Sequence, residues 1–465
     1  MDFFSTSKSK ISSSSSKIQE SQVIYFWQAY NGIRQAYIVS KKQYEKPTED
    51  QTVTAPIVGL FLPACKDLSP SGLTYPNSSH NLRIIPDKST YKSTYFGFYS
   101  GFVFCNFFNK DGSPFQHCPR QQLEMAILQL GRMGYEAKTG FEIEFVILNP
   151  NMQPIDNTSI SHLDSTIQQG SKLIQVSSTL EGLGIPIDVI HKESGRGQYE
   201  YVMDYDSPMK SIDNYHIARQ VIKYVFQQNQ YNNSGSIDKM HDKVCFLPKI
   251  LEDDLGNGLH VHLSLWKNGK NILGDRNSGR YGLSAEGEHF MAGILYHYNA
   301  LIHFLAPSPN SLKRLQPDFC VGAYKFWGIE NREAPIRLIE PDKAGDVITH
   351  FEVKTLDHTA NQYLAIAAIL VAGMEGLKNK MLLPSPYNND PSLLSEQERI
   401  QLNITQLPMT FEERKQAMYS LEGKPFIDFF GKDLIQNIFA FQTIDYNECG
   451  KLTLEEEVKL LVDKY

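Results

Sequence analysis

Short apolar runs alternate with turn residues from Ser21 to Gly112. Ile57–Leu62, Leu82–Ile85 and Phe102–Phe108 are predicted strands, with turns at Tyr75-Pro76-Asn77 and Lys110-Asp111-Gly112. This part is expected to form a small, mainly β domain. Past Pro119 the period lengthens. Leu123, Ala126, Ile127 and Leu130 share one helical face, Pro119 suits the first turn, and Gly134 ends the element. Alternation by two appears at 140–148, where Phe141, Ile143 and Phe145 point one way and Glu142 and Glu144 the other. A helix is predicted from Ser207 to Gln230, with Ile212, Tyr215, Val221, Ile222 and Val225 as its core stripe. At 256–266 a glycine turn leads into a strand with His260 and His262 on one face and Val261 and Leu263 on the other. Tyr281–Leu305 is predicted helical with Ser284 as N-cap, and Thr359–Met374 forms an apolar helix. Thr453 and Glu456 make a capping box for the last helix.

Several polar positions on these elements could carry chemistry. Glu142 and Glu144 repel each other, which is tolerable on a solvated face or when cations lie between them. Glu193 and Glu200 are seven apart and would face opposite ways on a straight strand; Gly195 and Gly197 permit a turn or bulge that lets them converge. His260 and His262 fit metal ligands or phosphate donors, and equally a pair of half-buried, hydrogen-bonded histidines. Glu352 and Lys354 share a strand face. From Pro307 to Leu338, Lys313, Arg314, Lys325, Arg332 and Arg337 fall among prolines, glycines and aromatics, off any periodic helical face. That mix predicts cations held in loops at the mouth of a site, where the planar fork of arginine binds carboxylate or phosphate. Ordinary surface salt bridges are the alternative.

Composition narrows the classes. The chain has 465 residues, 41% hydrophobic and 21% charged, as expected of a soluble globular protein. A net charge of -7 argues against a nucleic-acid partner. Six cysteines without a C-x-x-C pair argue against a disulfide scaffold and a cysteine zinc site, and suit reduced thiols in the cytoplasm. No apolar run approaches the ~20 residues that span a bilayer. Residues 1–20, with serines from Ser12 to Ser16, are expected to be a disordered tail; they lack the apolar core of a secretory signal. There is no internal repeat.

Taken together, strands that aim acids or histidines at one face precede clustered arginines. Such oxygen-rich ligation suits two Mg²⁺ or Mn²⁺ ions, and metals with arginines describe a phosphoryl-transfer site. No G-x-x-x-x-G-K-[ST] loop is present. The successive motifs Phe141-Glu-Ile-Glu-Phe145, His191 to Glu200, Gly256-Asn-Gly-Leu-His-Val-His262, Asn310-Ser-Leu-Lys-Arg-Leu315, Glu330-Asn-Arg332 and Glu352 through Leu364 resemble those of type I glutamine synthetases, in the same order. The run from Trp327 to Arg337 looks most like the nodulin and fungal developmental-protein branch.

The resemblance implies an α+β fold: an N-terminal β-grasp domain over 21–113 and, over 114–465, a catalytic domain with a curved antiparallel sheet and flanking helices. It also implies a homo-oligomer of stacked rings, a dodecamer or similar, with active sites between neighbours. The implied reaction is ATP-dependent ligation of ammonia to the γ-carboxylate of glutamate through γ-glutamyl phosphate. By motif, one Mg²⁺ or Mn²⁺ falls to Glu144, Glu193 and Glu200, and another to Glu142, His260 and Glu352. His262, Arg332 and Arg337 are implied to face the ATP phosphates, Arg314 the glutamate carboxylate, Gly256 the glutamate through its backbone, and Lys354 the substrate. Arg314, Arg332 and Arg337 are thereby the expected catalytic cations.

Four departures concern the amine. Ammonia-using members carry a glutamate where this chain has Cys320, so an anion that attracts ammonium is missing. Asn81 replaces an aspartate, and Asp67 is the candidate for a second ammonium-site acid. Leu255 stands for an asparagine, with Asn257 nearby, and Lys354 for an arginine. Alternatives to ammonia ligation are therefore γ-glutamyl ligation of a larger amine, and a non-catalytic scaffold or sensor.

Overall fold

The computed structural model describes residues 22–51, 53–67, 69–74, 80–96, 99–227, 242–277, 280–317, 319, 322–343 and 345–465. The Ser-rich tail, the Tyr75–Asn77 turn, the end of the helix at Gln230 and Cys320 lie outside them. Two sheets organise the chain. The first contains β1 (Gln22–Gln28), β2 (Arg34–Ser40), β3 (Thr54–Pro56), β4 (Asn81–Pro86), β5 (Lys92–Tyr95) and β6 (Tyr99–Phe108). Its order is β2-β1-β6-β4-β3, with β5 also on β6, and β1 runs parallel to β6. The expected strand at Ile57–Leu62 is instead a single 3-10 turn, Ile57–Leu60. An apolar run this short buries equally well in either form, with Ile57 and Leu60 inside.

The second sheet has nine strands: β7 (Glu136–Leu148), β8 (Ile187–Lys192), β9 (Gln198–Met203), β10 (Lys243–Cys245), β11 (Leu259–Lys267), β12 (Lys270–Asn271) and, past the separate β13 (Tyr324–Lys325), β14 (Trp327–Ile329), β15 (Ile336–Leu338) and β16 (Phe351–Val353). Its main path is β14-β15-β16-β11-β7-β9-β8, antiparallel except for β14 beside β15. Helices α1 (Lys41–Tyr44), α2 (Pro119–Arg132), α3 (Leu163–Gly182), α4 (Pro208–Phe226), α5 (Ala285–Tyr296), α6 (Tyr298–Leu305), α7 (Pro309–Arg314) and α8 (Gln362–Asn379) precede a mainly helical C-terminal segment ending in α9 (Leu454–Leu461). Ser284, Asn361 and Thr453 cap α5, α8 and α9. The predicted helix at 281–305 divides at His297 into α5 and α6. No described helix is long and apolar enough to cross a membrane.

One face of the second sheet is apolar. Phe141, Ile143 and Phe145 are at most 1% exposed, and Phe145 meets Tyr201, Phe226 and Phe246 with ring centres 5.7–6.0 Å apart. The first sheet is tied to this layer by polar contacts. Gln28 donates to the Ala360 carbonyl at 3.1 Å and to Gln362 at 2.7 Å, and Asn361 donates to the Ala29 carbonyl at 3.0 Å. Gly32 makes that approach possible: its φ is +76° and an added Cβ would lie 2.2 Å from the Thr359 carbonyl oxygen. Arg120 on α2 completes the tie, bonding Asp213 on α4 through two nitrogens at 3.2 and 2.5 Å and Asp87 after β4 at 3.1 Å. Arg120→Met leaves Asp213 buried without its cation, an expected loss of about 3–5 kcal/mol. The measurement is a lower denaturant midpoint; adding Asp213→Leu is expected to restore part of the loss, and an additive second loss would refute the pairing.

Candidate active site

Strand register builds the polar face. His260 of β11 lies opposite Glu142 of β7, and Glu200 of β9 opposite Glu144. His262 faces Glu352 of β16, Arg337 of β15 faces the same Glu352, and His191 of β8 faces Glu200. Cations, acids and imidazoles therefore form one row across neighbouring strands, on the face opposite the Phe141 core. Glu193 joins them from the turn after β8, where its amide bonds the Gln198 carbonyl at 2.9 Å.

Glu142, Glu144, Glu193, Glu200, His260 and Glu352 line one cavity of about 260 Å³. Arg314, Arg332, Arg337, Lys354 and Gly256 are on its other walls. His260 Nδ1 lies 3.0 Å from Glu142 and 3.1 Å from Glu352, and its Nε2 3.7 Å from Glu144. His191 Nε2 is 3.0 Å from Glu200 and its Nδ1 3.4 Å from Glu193. Arg337 and Lys354 hold Glu352 at 3.3 and 3.4 Å. Arg332 is exposed at the mouth and makes no hydrogen bond or ion pair with the described residues. His262 contacts Glu142 at 3.0 Å but faces an adjoining cavity of about 480 Å³, whose walls include Lys138, Trp266 and His350; Glu142 borders both spaces.

Arg314 is not in a loop. It closes α7, which begins at Ser308 with a capping box, and is 1% exposed. Its Nη2 donates to the Lys354 carbonyl at 2.8 Å and its Nη1 to the Thr355 carbonyl at 3.2 Å, while Nε has no partner. Lys313 and Lys325, grouped with it by sequence, leave the site and pair with Glu457 and Glu422 at 2.7 and 3.0 Å. A short helix capped by Ser-Pro resembles a loop in composition, so neither its existence nor the side on which each cation emerges is visible in the pattern.

The charges oppose one another strongly. Burial raises the Glu200 and Glu193 carboxyls, and neighbouring glutamates raise them further. Burial also acts against ionised Glu142, but hydrogen bonds from His260 and His262 outweigh it and hold that carboxyl below the usual range. His191, bonded to Glu200, is raised to about 9. Carboxylate and imidazole donors converge here in a pattern that suits divalent cations. Donor atoms of Glu142, Glu200 and His260 lie within 4.8 Å of one another, as do those of Glu142, His262 and Glu352 and those of His191, Glu193 and Glu200. An octahedral ion bound at about 2.1 Å places its donors roughly 3–4.2 Å apart, so these sets can close around one.

Some contributors had no assigned role in the sequence. His191 has a visible signal, since it stands two residues before Glu193. Gln198 bonds Glu144 at 3.3 Å and the Gly256 carbonyl at 2.9 Å, and the Gly258 amide donates to Glu144 at 2.6 Å. A Cβ on Gly258 would fall 2.4 Å from His260 Nε2. Asn257 is fully buried, its amide spent on the Cys245 and Leu247 carbonyls, whereas Leu255 lines the cavity. Asn81 and Asp67 do not line it.

The profile of the glutamine synthetase catalytic domain matches residues 116–460. Over 409 residues the chain is 31% identical to a type-1 glutamine synthetase of Dictyostelium discoideum, spanning 84% of this chain and 76% of that protein. It is 29% identical over 314 residues to a gamma-glutamylpolyamine synthetase of Streptomyces coelicolor, spanning 65% of this chain and 64% of that one. The fold superposes with a TM-score of 0.80 on a crystal structure described as a novel glutamine synthase homolog, at 22% identity, covering 96% of this chain and 99% of the other. With its catalytic-domain match running through the strands that carry these carboxylates, the chain belongs to the glutamine synthetase family.

Proposed function

We propose that the protein ligates ammonia to the γ-carboxylate of glutamate at the expense of ATP, through γ-glutamyl phosphate. The convergence of Glu142, Glu144, Glu193, Glu200, His260 and Glu352 on one cavity with Arg314, Arg332 and Arg337 carries this reading. A carboxylate is a poor electrophile, and phosphorylation gives it a leaving group. Mg²⁺ or Mn²⁺ held by the six donors, shared as Glu144, Glu193 and Glu200 and as Glu142, His260 and Glu352, supplies charge neutralisation for phosphoryl transfer.

The chain's own groups do the positioning. Arg332 is free to meet phosphate at the mouth. Arg337 reaches the same cavity while anchored to Glu330 at 2.5 Å and Glu352 at 3.3 Å. His262 lines the 480 Å³ space beside Glu142, which borders both cavities, and ATP has room in that space next to Trp266. Arg314 offers its buried guanidinium, and Gly256 its backbone, to the glutamate end. Lys354 sets Glu352 and keeps a positive charge near the substrate. The subunits assemble as a homo-oligomer of stacked rings acting in the cytoplasm.

A larger amine is the second reading, favoured by Cys320 standing where the ammonia-using pattern has glutamate. The assay is phosphate release from ATP with Mg²⁺ and glutamate, with ammonia and a panel of amines supplied in turn. Turnover with ammonia is expected; turnover only with a larger amine transfers the activity to that substrate, and none with any amine rejects both. Cys320→Glu is expected to lower the KM for ammonia, and an unchanged or higher KM removes this position from the ammonium site. For the metal donors, Glu142→Gln is expected to weaken Mn²⁺ binding by at least about 10–100-fold by calorimetry, the cost of losing even an outer-shell partner of a ligand, with unchanged circular dichroism. Undiminished affinity would take Glu142 out of the metal set.

A further inference from the structure

Of the six donors in the cleft, only Glu193 lies outside a strand: β8 ends at Lys192 and β9 begins at Gln198. Strand register alone does not place it. Its carboxylate is grouped with that of Glu200, a donor atom of each lying within 4.8 Å of the other, and like charges at that range push the turn away from the cleft. The turn therefore needs a support of its own.

Side chains supply it. Lys192 follows His191 and points to the opposite face of β8, where its side chain is 0% exposed. Its ammonium donates to the Glu193 carbonyl at 2.7 Å and to the Gly195 carbonyl at 2.6 Å, and pairs with the buried Asp156 carboxylate at 3.6 Å. Asp156 in turn accepts from the Gly197 amide at 3.3 Å and from the Tyr199 hydroxyl at 3.2 Å. The Gly195 amide donates to Gln198 Oε1 at 3.0 Å, and the amide and Nε of Arg196 both donate to Asp254 at 2.9 Å. Every backbone amide from Gly195 to Gly197 is thus taken by a side chain, and two carbonyls of the turn are taken by one lysine. Gly197 permits the tight path, with φ at +62° and an added Cβ 2.8 Å from the Ile147 carbonyl oxygen.

A buried ammonium is retained only where its partners are well placed, and its charge-assisted bonds are among the stronger ones a protein makes. Here those bonds end on the backbone from which Glu193 projects. We infer that Lys192 is a positioning residue of the cleft: it fixes the 193–197 turn so that Glu193 meets Glu200 and presents a formed donor set to a divalent cation. Arg196 ties the same turn to Asp254, the residue before Leu255 and Gly256, so the metal side and the glutamate side of the cleft share one support. The inference rests on the reading of Glu193 as a metal donor.

Calorimetric titration of the full chain with Mn²⁺ tests it. The wild type is expected to bind two ions. Lys192→Met keeps the aliphatic stem and removes the donors; it is expected to weaken one ion about 10-fold or more, the scale of a lost outer-shell partner, and to leave the other unchanged. General damage to the fold would weaken both. Glu193→Gln separates the inference from the reading beneath it. If the wild type binds no Mn²⁺, or Glu193→Gln leaves both affinities unchanged, the metal assignment fails and the role of Lys192 falls with it. If Glu193→Gln weakens one ion while Lys192→Met weakens neither or both, the metal assignment stands and the positioning role is overturned. In the double variant the loss is expected to match that of Glu193→Gln alone, because Lys192 acts through Glu193; additive losses overturn the inference. Lys192→Met leaves Asp156 buried without its cation, so Lys192→Met with Asp156→Asn keeps the comparison open if the single variant fails to fold, and the same selective loss is expected of it.

Discussion

Pairing register is the constraint on which the site depends. Glu142 lies opposite His260, Glu144 opposite Glu200, and Glu352 between His262 and Arg337 only while β7, β9, β11, β15 and β16 hold their present alignment. Side chains on a strand alternate, so a slip of one residue would turn these glutamates into the core and Phe141, Ile143 and Phe145 into the cleft. The register is therefore enforced from behind. Burial of two to four apolar side chains per strand favours the arrangement, at about 1.5–3 kcal/mol for each buried side chain.

Repulsion on the front face is contained by a second set of contacts. Glu144 takes hydrogen bonds from the Gly258 amide and Gln198, and its own backbone carbonyl is held at 2.9 Å by His358 Nε2. A carbonyl only accepts, so Nε2 carries the proton and Nδ1 must accept. The Tyr215 hydroxyl, 2.8 Å from Nδ1, then donates to it and accepts from Arg219. The tautomer of His358 is fixed by this chain, and burial keeps the ring neutral. The strand bearing the carboxylates is thus oriented by a directional relay on its far side, from a helix that touches no part of the cleft.

How legible this was in the sequence depended on the element. Glu142, Glu144, His260 and His262 sit in strands with a strict period of two, and a shared face follows directly from the spacing. The spacing left open whether that face was solvated, because exposure depends on what covers a strand and not on the strand itself. Glu193 and Glu200 needed the turn at Gly195 and Gly197 to converge, a possibility the glycines allowed but did not require. Beyond the strands the reading failed in particular ways. Five basic residues in one stretch looked equivalent, yet Lys313 and Lys325 turn toward Glu457 and Glu422 while Arg314 is drawn inward. Those partners are separated from them by 144 and 97 residues, and no local pattern encodes such pairs.

That contrast bears on how substrate choice and reaction type are divided in the molecule. The acids and imidazoles of the cleft belong to one sheet, whose register couples every member to every other, so loss of one strand's alignment disturbs all of them. Among the positions that depart from the ammonia-using pattern, Lys354 is coupled to the row through Glu352, whereas Leu255 and Asn81 lie outside the paired strands of the cleft. Leu255 lies in the segment before β11, Asn81 is the first residue of β4 and pairs with Pro56 of β3, and Cys320 falls in sequence between α7 and β13. A substitution at any of them leaves the strand pairing of the cleft untouched. The carboxylate row is accordingly the conservative part of this architecture, constrained by core packing on one side and charge balance on the other. Residues outside those strands can change one at a time without altering the carboxylate row.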